Sequence, residues 1–215
     1  MTTRLSPDDL CEVLLGDQPR RARSVVNELI EAGAAPRDVY LQVLAPALQE
    51  IGTRWACGQV SVAQEHLATA VVASLMATLA TTMLVEVPRA TGRVLLACTD
   101  SEMHTIGLRM VADFLEADGW EVLYLGAATP VEAIASMARD TLPDVVGLST
   151  ALQSHLPQVQ AAIASMQQLA VPPWIFVGGQ AYDGLPERAH EVGADAFAAD
   201  AGAASTLLSQ RFAHG

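Results

Sequence analysis

The chain is predicted to be an α/β protein in which a four-helix bundle precedes a five-stranded, parallel, doubly wound sheet. Three observations predict it. Over residues 1–86, Pro and Ser/Asp helix starts alternate with Gly stops at helical spacing, with no strand-like run. The segment Val87-Pro88-Arg89-Ala90-Thr91-Gly92 then reads as a linker. From Arg93 onward, short continuous apolar runs alternate with helical segments, as strands covered on both faces do. The expected division is a bundle over 1–86, a linker over 87–92 and a Rossmann-like (flavodoxin-like) domain over 93–215.

The elements follow in order. Ser6-Pro7-Asp8-Asp9 is a helix-start pattern with Pro at the first helical position. A break at Gly16-Asp17 leads to Pro19 and a second helix that stops at Gly33. Pro36 opens a third helix towards Trp55, which Gly58 ends. Ser61 caps a fourth. Leu67 to Val85 is free of charge and long enough for a membrane span, but it is Ala-rich and interrupted by Ser and Thr, so a buried bundle helix is expected. In the second half, strands are expected at 93–98, 121–125, 144–149, 174–177 and 195–198. Helices are expected at 105–118, from Thr129-Pro130 to Arg139, and at 155–169, 185–192 and 202–212.

Composition removes several function classes. The net charge is −12, and all twelve basic residues are Arg. Without Lys there is no Schiff-base chemistry and no phosphate-loop lysine. The acidic balance argues against direct nucleic-acid binding. Three scattered Cys, at 11, 57 and 98, suit a reducing cytoplasm rather than a disulfide framework or a zinc site. No apolar leader is visible at the N-terminus, so export is not expected.

In doubly wound sheets, ligands bind where strands end at their carboxyl edge, near the reversal of strand order. Three sequence features converge there. Glu102-x-His104-x-x-Gly107 follows the first strand, Ser149 ends the third, and Gly178-Gly179 ends the fourth. Glu102 can accept the proton of one imidazole nitrogen of His104 and leave the other as a metal ligand. Gly107 and the double glycine would admit a bulky group where a Cβ would clash. Asp100-Ser101 is either a helix cap or part of a ligand site, and Ser149 either a cap or a contact. His155, His190 and His214 are expected at the surface and without chemistry.

This set resembles the cobalamin-binding signature of the methionine-synthase, mutase and corrinoid-protein superfamily, over residues 90–212. There it reads Asp-x-His-x-x-Gly, then Ser-x-Leu, then Gly-Gly. The resemblance implies cobalamin bound base-off, with His104 as the lower axial cobalt ligand. The contacts it implies in this half are Glu102, Met103, Thr105, Gly107, Ser149, Ala151, Gly178, Gly179 and Tyr182. Glu102 stands in place of Asp and Ala151 in place of Leu.

The helical half carries Trp55, nine residues, then Glu65-His66. Val62, Glu65, His66 and Thr69 lie on neighbouring turns of one helix face. This resembles the Trp-x9-Glu-His motif of the CarH-type light sensors, which bind adenosylcobalamin. The resemblance implies that Trp55, Val62, Glu65 and His66 cover the cofactor's upper face, that light breaks the cobalt–carbon bond, and that the bundle then moves. Those sensors have His directly after the Trp. Here Ala56 stands there, leaving His66 or water as the upper ligand after light. The DNA-binding segment of those repressors is not expected in this sequence, so output would pass through an unidentified partner protein or a homodimer. Similar short photoreceptors also carry a bilin. The expected function is a cytoplasmic, non-enzymatic, cobalamin-dependent light sensor without a membrane role. The alternatives are a corrinoid methyl carrier and a non-photochemical cobalamin-binding regulator.

Overall fold

The structure is a computed structural model that describes residues 7–16, 19–84 and 91–212. Ser6, Asp17, most of the expected linker (87–90) and His214 lie outside the described residues. The chain divides into two compact units, Met1–Val85 and Glu86–Gly215.

The first unit is helical. Prolines at positions 7, 19 and 36 each open a helix, where a missing N–H costs nothing. Helix α1 spans Pro7–Leu15 and α2 spans Pro19–Glu31. The third rod is continuous but not uniform. It runs as α3 (Pro36–Val39), a π turn (Tyr40–Leu44) and α4 (Ala45–Ala56). Pro46 has no N–H to donate into the preceding turn, and its ring crowds the carbonyl four residues back. The wider π turn absorbs both defects. Tyr40 is fully buried, and its hydroxyl donates to the Met76 carbonyl at 2.9 Å, pinning this rod to the next one.

Helix α5 (Val62–Met83) starts with a reciprocal cap. The Ser61 side chain accepts from the Gln64 backbone N–H, and the Gln64 side chain accepts from Ser61 N–H at 3.0 Å. The expectation of a buried helix needs correction. Only the stripe Ala68, Val72, Leu75, Met76, Leu79 and Ala80 is buried, and Leu67 is exposed. Small and hydroxylated residues fill much of the remaining surface, which is why the stretch lacks charge without being core. Among the described residues it is the one helix long and apolar enough, by length and composition, to cross a membrane.

The second unit is the expected α/β sheet. Its strands are β1 (Arg93–Thr99), β2 (Glu121–Thr129), β3 (Val145–Ser149), β4 (Trp174–Gly178) and β5 (Ala196–Ala198). All pairings are parallel, in the order β2-β1-β3-β4-β5. The helices are α6 (Ile106–Ala117), α7 (Val131–Thr141), α8 (Leu156–Gln167), α9 (Pro186–Glu191) and α10 (Ala201–Phe212). Strand residues alternate between two cores. Leu95, Ala97, Val146, Leu148, Ile175 and Val177 pack with α7, α8 and α9. Val94, Leu96, Cys98, Val145 and Phe176 pack with α6 and α10.

Strand order reverses between β1 and β3, so the carboxyl ends of these two strands flank the crevice where such sheets take ligands. Register aligns that edge in one row: Cys98 opposite Ser149, Ser149 opposite Gly178, and Gly178 opposite Ala198. Strand β2 runs four residues beyond the expected end, through register shifts opposite Ala97 and Thr99 and positive φ at Gly126 and Ala128. Its extension lets the Ala128 N–H donate to the Glu102 carbonyl at 3.0 Å.

The double glycine has a reason within the fold itself. Gly179 has φ +109 and ψ 172, a region that essentially only glycine occupies. A Cβ there would lie 2.3 Å from the Thr150 carbonyl oxygen, and one on Gly178 would lie 2.7 Å from the Ala198 carbonyl oxygen. Both obstacles are backbone. Gly179→Ala is therefore expected to destabilise the chain by about 2–4 kcal/mol. Urea unfolding against the wild type measures this, and an unchanged midpoint would contradict the strain argument.

Candidate functional site at the carboxyl edge of the sheet

The site begins with a turn. Past Thr99 the chain enters the left-handed region at Ser101 (φ 68), and Glu102 N–H donates back to the Thr99 carbonyl at 3.0 Å. This reversal drives the Glu102 side chain inward, where it is 0% exposed. Its neighbours turn outward: Met103 is 67% exposed and the His104 side chain 57%. The turn therefore separates a buried acid from an exposed imidazole two residues away.

The Glu102 carboxylate receives four N–H groups. Its Oε1 accepts from the His104 backbone N–H at 2.9 Å and from His104 Nδ1 at 2.5 Å. Its Oε2 accepts from the Ala151 backbone N–H at 2.8 Å and from His155 Nδ1 at 3.1 Å. Burial acting alone would raise the Glu102 pKa. The two backbone donors and the two imidazoles outweigh it and hold the acid down at about 2. An ionised Glu102 accepts the Nδ1 proton of His104, which fixes the tautomer and leaves Nε2 as a bare donor atom at the surface. That is the arrangement a metal-ligating histidine requires.

The length of the Glu102 side chain accounts for this reach. It lets one carboxylate serve the β1–α6 loop with one oxygen and the residues after β3 with the other. Cys98 lies beneath, its Sγ 3.8 Å from the His104 carbonyl oxygen. Burial, with the nearby Glu102 charge, pushes its thiol up to about 12, so it stays protonated and offers no thiolate.

The remaining sheet residues divide. Thr105 is the N-cap of α6 but makes no side-chain cap bond. Asp100 and Ser101 are not that cap, because the turn places both before it. Gly107 is exposed, and a Cβ there would meet no protein atom within 4 Å, so the fold does not require a glycine and the position leaves room beside His104. Ser149 is half-buried at the end of β3, and Ala151 enters through its backbone N–H. Gly178 and Gly179 accommodate the protein's own carbonyls rather than open space.

Tyr182, expected among the cofactor contacts, lies inside the fold. It is fully buried, with its ring centroid 5.8 Å from that of Phe197. Burial raises its phenol pKa, and the neighbouring Thr150 hydroxyl draws it part of the way back. Their contact falls outside ordinary hydrogen-bond geometry. The hydroxyls of Thr99, Thr150 and Tyr182 are all buried at this edge without a hydrogen bond. A free imidazole nitrogen, an open glycine and unsatisfied hydroxyls at one edge suit a large polar ligand.

His155 also requires correction. It is not a bystander on the surface. Its side chain is 15% exposed, and it bonds to Glu102. The signal for it in sequence was its place six residues beyond Ser149, on the same sheet edge. His190 makes only a local contact, 3.2 Å from the Ala194 carbonyl oxygen.

Trp55, Val62, Glu65 and His66 belong to the helical unit. Trp55 lies in the last turn of α4 and is 48% exposed; Val62 opens α5 and is also exposed. Glu65 accepts from the Thr69 hydroxyl at 2.8 Å and lies 3.6 Å from His66 Nε2. A half-exposed indole and an exposed valine are an apolar surface that the helical unit itself does not cover.

The chain is 34% identical over 169 residues to the HTH-type transcriptional repressor CarH of Myxococcus xanthus, covering 77% of this chain and 54% of that one. It is 33% identical over 148 residues to the HTH-type transcriptional repressor CarA of the same organism, covering 68% and 47%. The chain thus spans about half the length of these curated relatives. In fold it is similar to the monomethylamine corrinoid protein of Methanosarcina barkeri, with a TM-score of 0.83 at 17% identity over 94% of this chain and 96% of that one. It is also similar to a cobalamin-binding protein of Desulfitobacterium hafniense, with a TM-score of 0.51 at 22% identity over 96% and 98%. A B12 binding domain model matches the helical segment 8–80, and another matches residues 92–208, which is more than half of the chain. On that match, around the buried acid and its exposed imidazole, the protein belongs to the B12-binding domain family.

Proposed function

We infer that the chain is a cytoplasmic, cobalamin-dependent light sensor that takes adenosylcobalamin base-off with His104 Nε2 as lower axial ligand. The observation that carries the cobalamin part is the Glu102–His104 pair at the strand-order reversal. The light-sensing part is supported by the Trp55…Glu65-His66 motif and by the similarity to CarH and CarA, which are named as transcriptional repressors. When bound, adenosylcobalamin supplies a cobalt–carbon bond that visible light breaks.

The chain's own residues do the rest. Glu102 holds the His104 tautomer. Gly107 keeps the surface beside His104 clear. Trp55 and Val62 offer apolar contact to the upper ligand's adenosyl group, with Glu65 and His66 as polar contacts. Loss of that group would uncover the Trp55 surface and change what the helical unit presents to a partner or to a second copy of the chain. The proposal needs no chromophore besides cobalamin. Likeness in fold to corrinoid proteins does not favour a methyl carrier, because it reports architecture alone.

The test is reconstitution with adenosylcobalamin in the dark, then illumination while spectra are recorded. A light-dependent spectral change is expected, and Trp55→Ala is expected to weaken adenosylcobalamin retention about tenfold, or 1.4 kcal/mol. A spectrum indifferent to light, or preference for methylcobalamin with methyl transfer to a thiol, would turn the reading towards a carrier. Full retention by the Trp55 variant would return the indole to a packing role.

A further inference from the structure

We propose that His155 is a positioning residue for the ligand-bearing imidazole, acting through the far oxygen of Glu102. The inference rests on the reading of His104 as the cobalt ligand. Two imidazoles grip opposite oxygens of one fully buried carboxylate: His104 Nδ1 at 2.5 Å from Oε1 and His155 Nδ1 at 3.1 Å from Oε2. They come from different parts of the fold. His104 is on the loop after β1. His155 closes the 3₁₀ turn Gln153–His155 at the N-cap position of α8, 53 positions beyond Glu102.

The chemistry explains why one donor set is not enough. Glutamate has one more rotatable bond than aspartate, so its carboxylate plane must be fixed from both sides to aim Oε1 at His104. On the Oε2 side the backbone N–H of Ala151 supplies one donor at 2.8 Å, and His155 supplies the other. Without His155 the carboxylate keeps one backbone N–H on each oxygen, from His104 on Oε1 and from Ala151 on Oε2, but Oε2 loses the side-chain donor that balances His104 Nδ1 on Oε1. With His155 in place, the plane is set, Oε1 keeps the Nδ1 proton of His104, and Nε2 stays bare. An Nδ1–H donor at His155 is required, since ionised Glu102 only accepts. His155 does not touch the ligand in this arrangement. It decides which nitrogen of His104 is available.

The test uses the full-length chain without cobalamin. Long-range proton–nitrogen NMR correlations of ¹⁵N-histidine protein read the tautomer of each ring directly. In the wild type, both His104 and His155 are expected as Nδ1–H. In His155→Leu the tautomer ratio at His104 is expected to shift towards Nε2–H by about tenfold, the scale of one charge-assisted hydrogen bond. His155→Asn keeps an N–H donor at nearly the same place and is expected to restore the wild-type ratio. A merely structural histidine would not give that rescue at unchanged amide dispersion.

Three results would overturn the inference: an unshifted His104 in a folded His155→Leu, an Asn variant that behaves like Leu, or a wild-type His155 found as Nε2–H. The last needs no variant to fold. A second arm adds adenosylcobalamin. There His155→Leu is expected to show a larger histidine-off fraction than the wild type, and His155→Asn to match it. A wild type that keeps the expected tautomers yet takes up no corrinoid would end the sensor reading alone, while the arrangement of imidazoles and acid would stand.

Discussion

His104→Ala is expected to leave the sheet unit folded and to remove protein ligation of the metal altogether. The side chain is 57% exposed, and its one polar partner is Glu102, so no core is lost with it. Glu102 keeps the His104 backbone N–H, the Ala151 N–H and His155 as donors, which do not depend on the imidazole at 104. The stability cost is therefore that of one charged hydrogen bond, about 1.5–3 kcal/mol. Ligation has no such reserve. Among the described residues no group of three or more His, Cys, Asp or Glu could hold a metal ion, and on the proposed reading coordination rests on the imidazole at 104. Cys98 is no substitute, because its thiol stays protonated and buried. Affinity for adenosylcobalamin is expected to fall at least about a hundredfold, close to 3 kcal/mol. Any corrinoid still bound is expected to keep its own base or water on the metal. Equilibrium dialysis gives the first quantity and absorption spectra the second. A spectrum identical to wild type would remove His104 from the metal.

How much of this was legible in sequence depends on how local each interaction is. The strands of the sheet were visible because each is apolar on both faces, and the helix starts because proline marks them. The Glu102–His104 pair is two residues apart, so spacing alone proposes it. The His155–Glu102 bond spans the whole of α6, β2, α7 and β3, and no periodicity announces it. The end of β2 was hidden because Gly126 and Ala128 interrupt the apolar run with positive φ while pairing continues. The π turn was hidden because Pro46 sits in an otherwise regular helical pattern, and the backbone's response to it is not a residue property. Helix α5 misled because absence of charge resembles burial, when Ala and Thr tolerate water. Gly178-Gly179 was found for a different reason than the one the structure gives: the close approach is to the protein's own Thr150 and Ala198 carbonyls. A glycine pair states that something is near, without stating what.

Glu102 is where stability and ligand preparation meet, and it is expected to give the chain a specific acid sensitivity. The carboxyl is held at about 2 in the folded chain against 4.5 for the unperturbed group. A depressed carboxyl pKa means that the unfolded state binds the proton more readily. The stabilisation is therefore complete above the unfolded pKa and disappears as pH falls towards the folded one. The window is roughly pH 4.5 down to 2, and the size is about 3 kcal/mol at neutral pH. Glu102→Gln removes this dependence and sets an amide N–H₂ against N–H donors in a site with no exposure, so it is expected to cost about 3–5 kcal/mol at pH 7. The gap between wild type and Glu102→Gln in urea unfolding should narrow by about 2 kcal/mol between pH 7 and pH 3, because the wild type alone loses the charge. A gap that stayed constant with pH would mean that folding does not depress the Glu102 pKa, and a gap that widened as pH fell would mean that the carboxyl is neutral in the folded protein, with no charge to hold the Nδ1 proton of His104. The same acid thus ties stability to ligand preparation: the charge whose loss narrows the gap is the charge that accepts the Nδ1 proton of His104.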